Sequence, residues 1–467
     1  MVFAVGSGIG ALAVVCAGFA VLWLCAGPAL AAEIKAAPGD IEKILLEVGP
    51  GDTVLLSDGT YPGGLHLAVS GSEGAPITLK AAGSGAVVDG GRDCLSLDGV
   101  SWITVEGIRF QNAERAGVYV RRRGIPETPG GNGEDYPEPA EHVTIRNCVC
   151  ANNRVWGIIT SHIEHFTVEG CETFGATVEH GIYVANSGDD PVIRNNVVHH
   201  NVGNGIHING DPDCGGDGII SRALVEGNVI YEHGTRGGSA MSVMHVQDSI
   251  FRNNLLYHNY AHGFTLFWYT GDEATQSSRR NTIVNNTVYF RPGEGRFSLL
   301  MRRSATDCTV KNNIFAGGAR GAMYIEPSCL EGLTIDHNVV FNHPSQRLIG
   351  DASEGAGEGV SSVGGDRRMS EWDRLGFDPD TSDGLEISVE AWRAHGFSAH
   401  SIFGEKPVFA DEPAGDFRLK APSPGIDDGE DLGDLVPADV EGTPRPQGGG
   451  FDCGCYEAPD DSGAAKR

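Results

Sequence analysis

Residues 179–210 read EHGIYVANSGDDPVIRNNVVHHNVGNGIHING, and the phrase HGIYV at His180–Val184 returns as NGIHI at Asn204–Ile208. The repeat sets a phenol, Tyr183, and an imidazole, His207, 24 residues apart in equivalent positions. A neutral imidazole accepts a proton near pH 7, and a phenol can donate one to a departing oxygen. The two make a candidate acid–base pair, with His180 and Asn209 beside them to orient a substrate. His162, His199, His200, His245 and His262 crowd the same stretch, and Trp268, Tyr269, Arg279, Arg280, Arg302 and Arg303 follow. Of these, His245, His262, Trp268, Tyr269, Arg302 and Arg303 are read as substrate contacts, through stacking or charge. The loop GDPDCGGDG at Gly210–Gly218 adds Asp211, Asp213 and Asp217. Three hard carboxylates on a glycine-rich loop suit Ca²⁺, although a solvated acidic turn has the same composition and the EF-hand pattern is incomplete.

Such residues act together only if the chain brings them onto one face, and an internal repeat supplies the means. A phrase of an apolar residue, any residue, usually Asn or Gly, then usually Asn or Cys starts at Val105, Ile145, Val168, Ile193, Val225, Phe251, Ile283, Val310 and Ile335. Its spacing runs from 23 to 40 residues, most often near 25. A second short strand, Gly followed by alternating apolar residues, comes about ten residues later in most copies, as at Gly117, Gly157, Gly181, Gly205, Gly263 and Gly321. Short strands joined by Gly and Asn turns in coils of this length predict an all-β, parallel β-helix solenoid, each coil rising by about 4.8 Å, the ordinary strand spacing.

The spacing of Gly157, Gly181 and Gly205, 24 residues each time, fixes the columns. Ile158, Ile182 and Ile206 point inward, and Ile159, Tyr183 and His207 point outward, which brings the phenol and imidazole to about 5 Å at Cα level. Asn196, Asn228, Asn254, Asn286, Asn313 and Asn338 share a column that predicts an amide ladder, a structural role. Cys148 and Cys171 fall in the same column and predict stacked buried thiols.

The flanks complete the division. Residues 1–31 contain no charged side chain and end in small residues, which reads as a secretory signal peptide cleaved after Ala31; an uncleaved membrane anchor is the other reading. The solenoid follows over 32–350, with an amphipathic helix at Ile41–Val48 to cap its open edge and a Pro/Gly/acid insertion at 122–141. A linker with short helices spans 351–404, and 405–467 is a strand-rich, acidic tail. The net charge is −28, of which −16 falls in residues 351–467. That balance excludes a nucleic-acid binder and requires a local basic patch or a cation for any polyanionic substrate. Eleven cysteines become nine after cleavage; Cys308 and Cys329 could pair across a local loop, and no CxxC pair stands at zinc spacing.

GDTVLLSDGTYPGGLHL at Gly51–Leu67, followed by GAPITLKA and AVVDGG, resembles the N-terminal coils of secreted pectate-lyase-like right-handed β-helix proteins, nearest to the chondroitinase-B/alginate-lyase type. The tail DFRLKAPSPGIDDG, GTPRP and CGCYE resembles the final coils of many secreted bacterial β-helix proteins. The resemblance implies a bacterial protein, secreted, periplasmic or at the cell surface, monomeric, with a polysaccharide as its partner and no membrane span after signal cleavage. It also implies a lyase acting on a uronic-acid polymer by β-elimination. That reaction needs the C6 carboxylate neutralised, a base for the C5 proton and an acid for the leaving O4. His207, Tyr183 and an Arg or bound cation fit those parts. A C5-epimerase shares the first step, a glycoside hydrolase would need two facing carboxylates, and a non-catalytic adhesive β-helix would use the same surface only to bind.

Overall fold

The computed structural model describes residues 31–123, 140–342, 349–350 and 387–459. Each coil contributes one strand to each of three parallel sheets, of 12, 12 and 11 strands in the order the chain meets them among the described residues. The first sheet runs from Glu33–Ala36 to Thr334–Asp336, the second from Gly59–Pro62 to Val339–Phe341 and then Ile402–Phe403, the third from Leu65–Leu67 to Ile349–Gly350. The parallel β-helix expected from the repeat, with the right hand implied by the resemblance, is the fold. Residues 1–30 of the expected leader, the inserted segment at 124–139 and the stretch at 351–386 lie outside the described residues, and among those described no helix is long and apolar enough to cross a membrane.

The recurrent phrase is the corner between the first and second sheets. Its third residue takes a left-handed conformation, as at Asn195 (φ 55°), Gly227 (φ 65°), Asn253 (φ 54°), Asn285 (φ 52°) and Asn312 (φ 56°). Gly and Asn are the residues that enter this region most readily, which is why the phrase admits them. The fourth residue turns inward. Asn196 Nδ2 donates to Asn228 Oδ1 at 2.9 Å, and the same bond runs on through Asn254, Asn286, Asn313 and Asn338 at 2.9–3.0 Å. Each oxygen also accepts the preceding asparagine's backbone N–H, and each amide nitrogen also donates to a strand carbonyl, as from Asn254 to Val225. No buried amide of the ladder is left unpaired, the condition under which buried polar groups stabilise a fold. Cys171 and Cys148 continue the column: the Cys171 N–H donates to Asn196 Oδ1, and the Cys148 N–H donates to the Cys171 sulfur at 3.4 Å.

The lumen is filled by aliphatic and aromatic side chains, with Ile158, Ile182, Ile206, Met241, Phe264 and Leu299 stacked under the third sheet. A helix, Ile41–Glu47, buries Ile41 and Leu45 against the first coil and closes that end, as expected from its amphipathic pattern. At the other end a helix over Val389–Ala394 inserts Trp392 into the core, and its indole N–H donates to Ser398 Oγ.

Two expectations are corrected. Among the described residues the tail adds no final coils after Ile402–Phe403: it folds back as an antiparallel pair, Phe409–Asp411 with Asp416–Leu419, and packs Phe417, Leu419, Cys453 and Cys455 on the outer face of the second sheet against Leu255, Tyr289, Ile314 and Val339. That face is apolar and would otherwise lie open to water. A buried ion pair, Arg445 to Glu457 at 2.6 Å, secures the tail; Arg445 also donates to the carbonyls of Asp452 and Gly454, so the guanidinium is compensated on several sides. The second correction is that Cys308 and Cys329 are not bridged. All nine described cysteines are free thiols, and burial pushes both of these up to about 12. They serve as small apolar residues of the lumen.

Candidate active site

The third sheet presents an outward column in which Ser96, Tyr119, Ile159, Tyr183, His207, Ser242, Thr265, Leu300 and Tyr324 are successive partners in parallel register. The 24-residue spacing therefore does what the sequence requires. Tyr183 on strand Ile182–Asn186 and His207 on strand Ile206–Gly210 stack with ring centroids 4.9 Å apart and planes 17° from parallel. His180 stands edge-on to both, at 4.9 Å from His207 and 5.2 Å from Tyr183, with Trp156 6.3 Å from Tyr183.

Hydrogen bonds assign the protons. His207 Nδ1 lies 3.2 Å from the Ser242 carbonyl oxygen, which only accepts, so Nδ1 carries the proton and Nε2 keeps a lone pair. Burial lowers the His207 pKa to about 4, against the opposing pull of the Ser242 bond, so the ring is neutral throughout the physiological range. His180 Nδ1 accepts the Asn204 backbone N–H at 3.0 Å, which puts its proton on Nε2, and burial with the neighbouring His207 holds its pKa well below the ordinary value. The Tyr183 hydroxyl accepts from Asn209 Nδ2 at 3.1 Å; burial raises the phenol to about 12, so it retains its own proton.

On the C-terminal side of His207 a cavity of about 350 Å³ opens on the same sheet. Its floor is His207, Ser242, Thr265 and Leu300; Asn204, Ser239 and His262 line one flank, and Met244, Phe267, Tyr269, Arg302 and Arg303 the other, with Arg296 at the rim. The lining contains no Asp or Glu. The Arg302 Nε donates to Glu326 Oε1 at 2.8 Å, and Glu326 Oε2 accepts the Arg303 backbone N–H at 2.7 Å, so a carboxylate behind the wall sets both arginines. The Arg303 guanidinium lies 5.9 Å from the centroid of the Tyr269 ring. Burial, helped by Arg296, Arg320 and Arg302, lowers His262 to about 3.

The structure thus brings together His207, Tyr183, His180 and Asn209 as one cluster, and His262, Tyr269, Arg302 and Arg303 around the adjoining cavity. Other expected residues fall elsewhere. His245 is fully buried: its Nδ1 donates to the Gln276 carbonyl at 2.9 Å and its Nε2 accepts the Tyr269 N–H at 3.4 Å, so it braces the loop carrying Tyr269 from behind and cannot contact a substrate. Trp268 is half-buried and outside the cavity lining. His199 belongs to the second sheet, stacked between Phe174 and Tyr231, and His162 is buried with its Nε2 at the Gly215 carbonyl. The three aspartates do not converge. Asp211 accepts from the Asp213 N–H and the Cys214 thiol, Asp213 from Thr270 Oγ1, and Asp217 from Ser187 Oγ and the Ile219 N–H. These bonds tie the loop together and join it to the neighbouring loop at Thr270, as does Gln276 Nε2 donating to the Asp217 carbonyl. The loop bearing the three carboxylates expected to hold Ca²⁺ thus lies beside the loop carrying Tyr269.

Sequence reasoning missed Arg296, Ser239 and Ser242. The column through His180, Asn204 and His262 points to Ser239, the partner of His262 in the next coil, and the Tyr183–His207 column points to Ser242. The coil containing them is longer than 24 residues, so simple periodicity falls short of both.

A family model described as right handed beta helix region matches residues 93–214 and 213–368, together more than half of the chain. The chain belongs to the right-handed β-helix family. Among solved right-handed β-helix structures, pectate lyase Pel9A aligns over 91% of this chain and 96% of its own at 15% identity, with a TM-score of 0.51. The alginate lyase from Paenibacillus sp. str. FPU-7 aligns over 59% of this chain and 93% of its own at 18% identity, with a TM-score of 0.42. The PL6 family polysaccharide lyase from Pseudopedobacter saltans aligns over 72% and 89% at 12% identity, with a TM-score of 0.42. At these identities the likeness is one of fold. No curated protein matches the chain.

Proposed function

We propose that this β-helix protein is a polysaccharide lyase that cleaves a uronic-acid-containing polymer by β-elimination on the outer face of the third sheet. The observation that carries the reading is the stacked Tyr183–His207 pair beside a cavity whose lining includes Arg296, Arg302 and Arg303, on a chain whose net charge is −28. Guanidinium groups at a recess of an acidic protein give the carboxylate of an anionic sugar donors to meet. Pel9A is named a pectate lyase, and the reading brings that class of activity to this chain.

In the proposed reaction the polymer lies along the solenoid axis. The arginines engage the C6 carboxylate and so acidify the C5 proton. His207 Nε2 takes that proton, the electron pair forms the C4–C5 double bond, the C4–O4 bond breaks, and O4 takes the proton of Tyr183. The phenol, near 12, is matched to an alkoxide leaving group, and the lowered basicity of His207 keeps its lone pair open. A bound carboxylate raises the proton affinity of the imidazole when it is needed. Proton return from His207 to Tyr183 then resets the site.

A glycoside hydrolase would need two carboxylates facing one cleft, and the cavity lining offers none. The test is a panel of alginate, pectate, chondroitin and hyaluronan, followed by ultraviolet absorbance of the unsaturated product. Absorbance on one polymer supports the lyase. Inverted C5 centres without absorbance would make the protein an epimerase, new reducing ends without absorbance a hydrolase, and binding without products an adhesive protein. A secreted, periplasmic or cell-surface location in a bacterium and a monomeric state belong to the same proposal.

A further inference from the structure

A second set of chemically able side chains lies at the far end of the solenoid, where the tail meets the last described coil of the first sheet. Asp336 ends strand Thr334–Asp336, His337 occupies the following left-handed corner (φ 52°), and His400 arrives just before strand Ile402–Phe403. One donor atom from each of the three lies within 4.8 Å of the others. The two imidazoles stack with centroids 4.8 Å apart and planes 20° from parallel.

The hydrogen bonds around them resemble the outer shell of a metal centre. His337 Nδ1 donates to the Asp428 carbonyl at 2.9 Å, which leaves Nε2 with its lone pair. A ring N–H held by a carbonyl is the usual way a ligating histidine is oriented. Glu430 Oε2 lies 3.9 Å from His337 Nε2, itself held by Lys311 at 2.7 Å. His400 Nδ1 meets Asp336 Oδ2 at 2.7 Å, while Asp336 Oδ1 accepts the backbone N–H groups of both His337 and His400. The carboxylate is therefore fixed in place by backbone, and His400, whose side chain is 67% exposed, is free to turn.

We propose that Asp336, His337 and His400 form a structural site for a transition-metal dication of the Zn²⁺ class. Two imidazoles and one carboxylate select such an ion over Ca²⁺, which prefers six or more oxygens. Ligand bonds of about 2.0–2.2 Å require the donors to close by roughly an ångström, which rotation of His400 supplies. The ion takes the place of the proton between His400 Nδ1 and Asp336, and the neutral imidazole then carries its one proton on Nε2. Its effect is to tie the segment that leads into strand Ile402–Phe403 to the last coil of the first sheet.

The inference is independent of the reading of His207. Equilibrium dialysis of the full chain with Zn²⁺ alone is expected to give one bound ion per chain, not displaced by Ca²⁺, with a raised melting temperature and slower proteolysis of the tail. His400→Ala and His337→Ala are expected to weaken binding at least tenfold, with the circular dichroism of the solenoid unchanged. His142→Ala, in a separate cluster with Glu141 and His165, is expected to leave binding intact. Lack of stoichiometric binding, binding undiminished in His400→Ala, or loss in His142→Ala instead would overturn the proposal.

Discussion

The imidazole of His207 and the phenol of Tyr183 lie face to face at 4.9 Å, each held from outside the pair: His207 by the Ser242 carbonyl, Tyr183 by the Asn209 amide. Neither ring is positioned by the loop residues around it. Both are set by strand register, which makes the pair as rigid as the solenoid itself.

Tyr183→Phe keeps the stack and removes the hydroxyl, leaving the Asn209 amide without its acceptor. Turnover is expected to fall by about 10²-fold or more with little change in KM, because the lost group acts on the leaving oxygen. The stability cost should be about 1–3 kcal/mol, readable as a shift in the urea midpoint. A change in KM alone would remove Tyr183 from the reaction.

Burial lowers both His207 and His233 to about 4 from an ordinary 6.5. The folded form thus binds fewer protons than the unfolded chain between those values. Stability from these two groups is complete above pH 6.5 and is lost as pH falls toward 4, at up to about 1.4 kcal/mol per pH unit for each histidine. Thermal melts should decline between pH 6.5 and 5, above the carboxylate range, and be flat in this contribution above pH 7. The acid limb of activity should likewise fall well below the ordinary histidine value. A melting temperature constant from 7 down to 5 would contradict the buried neutral state.

Asn254 sits mid-ladder: its Oδ1 accepts from Asn228 and its Nδ2 donates to Asn286 and Val225. Asn254→Ala deprives several buried groups of partners at about 1–3 kcal/mol each. Denaturant unfolding should show a loss of roughly 3–5 kcal/mol, or failure to fold. A loss under 1 kcal/mol would mean that the ladder contributes little beyond filling space.

If Arg296, Arg302 and Arg303 neutralise the substrate carboxylate, then added Ca²⁺ should not raise turnover, and Arg303→Ala should raise KM for an anionic polymer about tenfold while weakening its salt dependence. Steady-state kinetics at two ionic strengths decides this. Turnover that depends on Ca²⁺ would restore a role for a bound cation.

Much of this was legible in the sequence because a β-helix converts spacing into proximity. The inward isoleucines, the asparagine ladder, the stacked Cys148 and Cys171, and the Tyr183–His207 pair all follow from one period. What escaped was whatever departs from that period. Arg296 and Ser242 lie in coils lengthened by loops, His199 sits past a corner on another sheet, and His245 turns behind the loop it supports. The aspartates of Gly210–Gly218 suit a metal by composition, and their bonds to local backbone and side-chain donors depend on a loop conformation that no periodicity states. The tail carried strand signals, yet nothing local states that it doubles back across the second sheet.

The most direct test of the reaction centre is the rate of unsaturated-product formation by His207→Ala on whichever polymer the wild-type protein cleaves. A loss of about 10²-fold or more is expected, with the thermal melt within a few degrees of wild type. Turnover retained by a folded His207→Ala protein would contradict it.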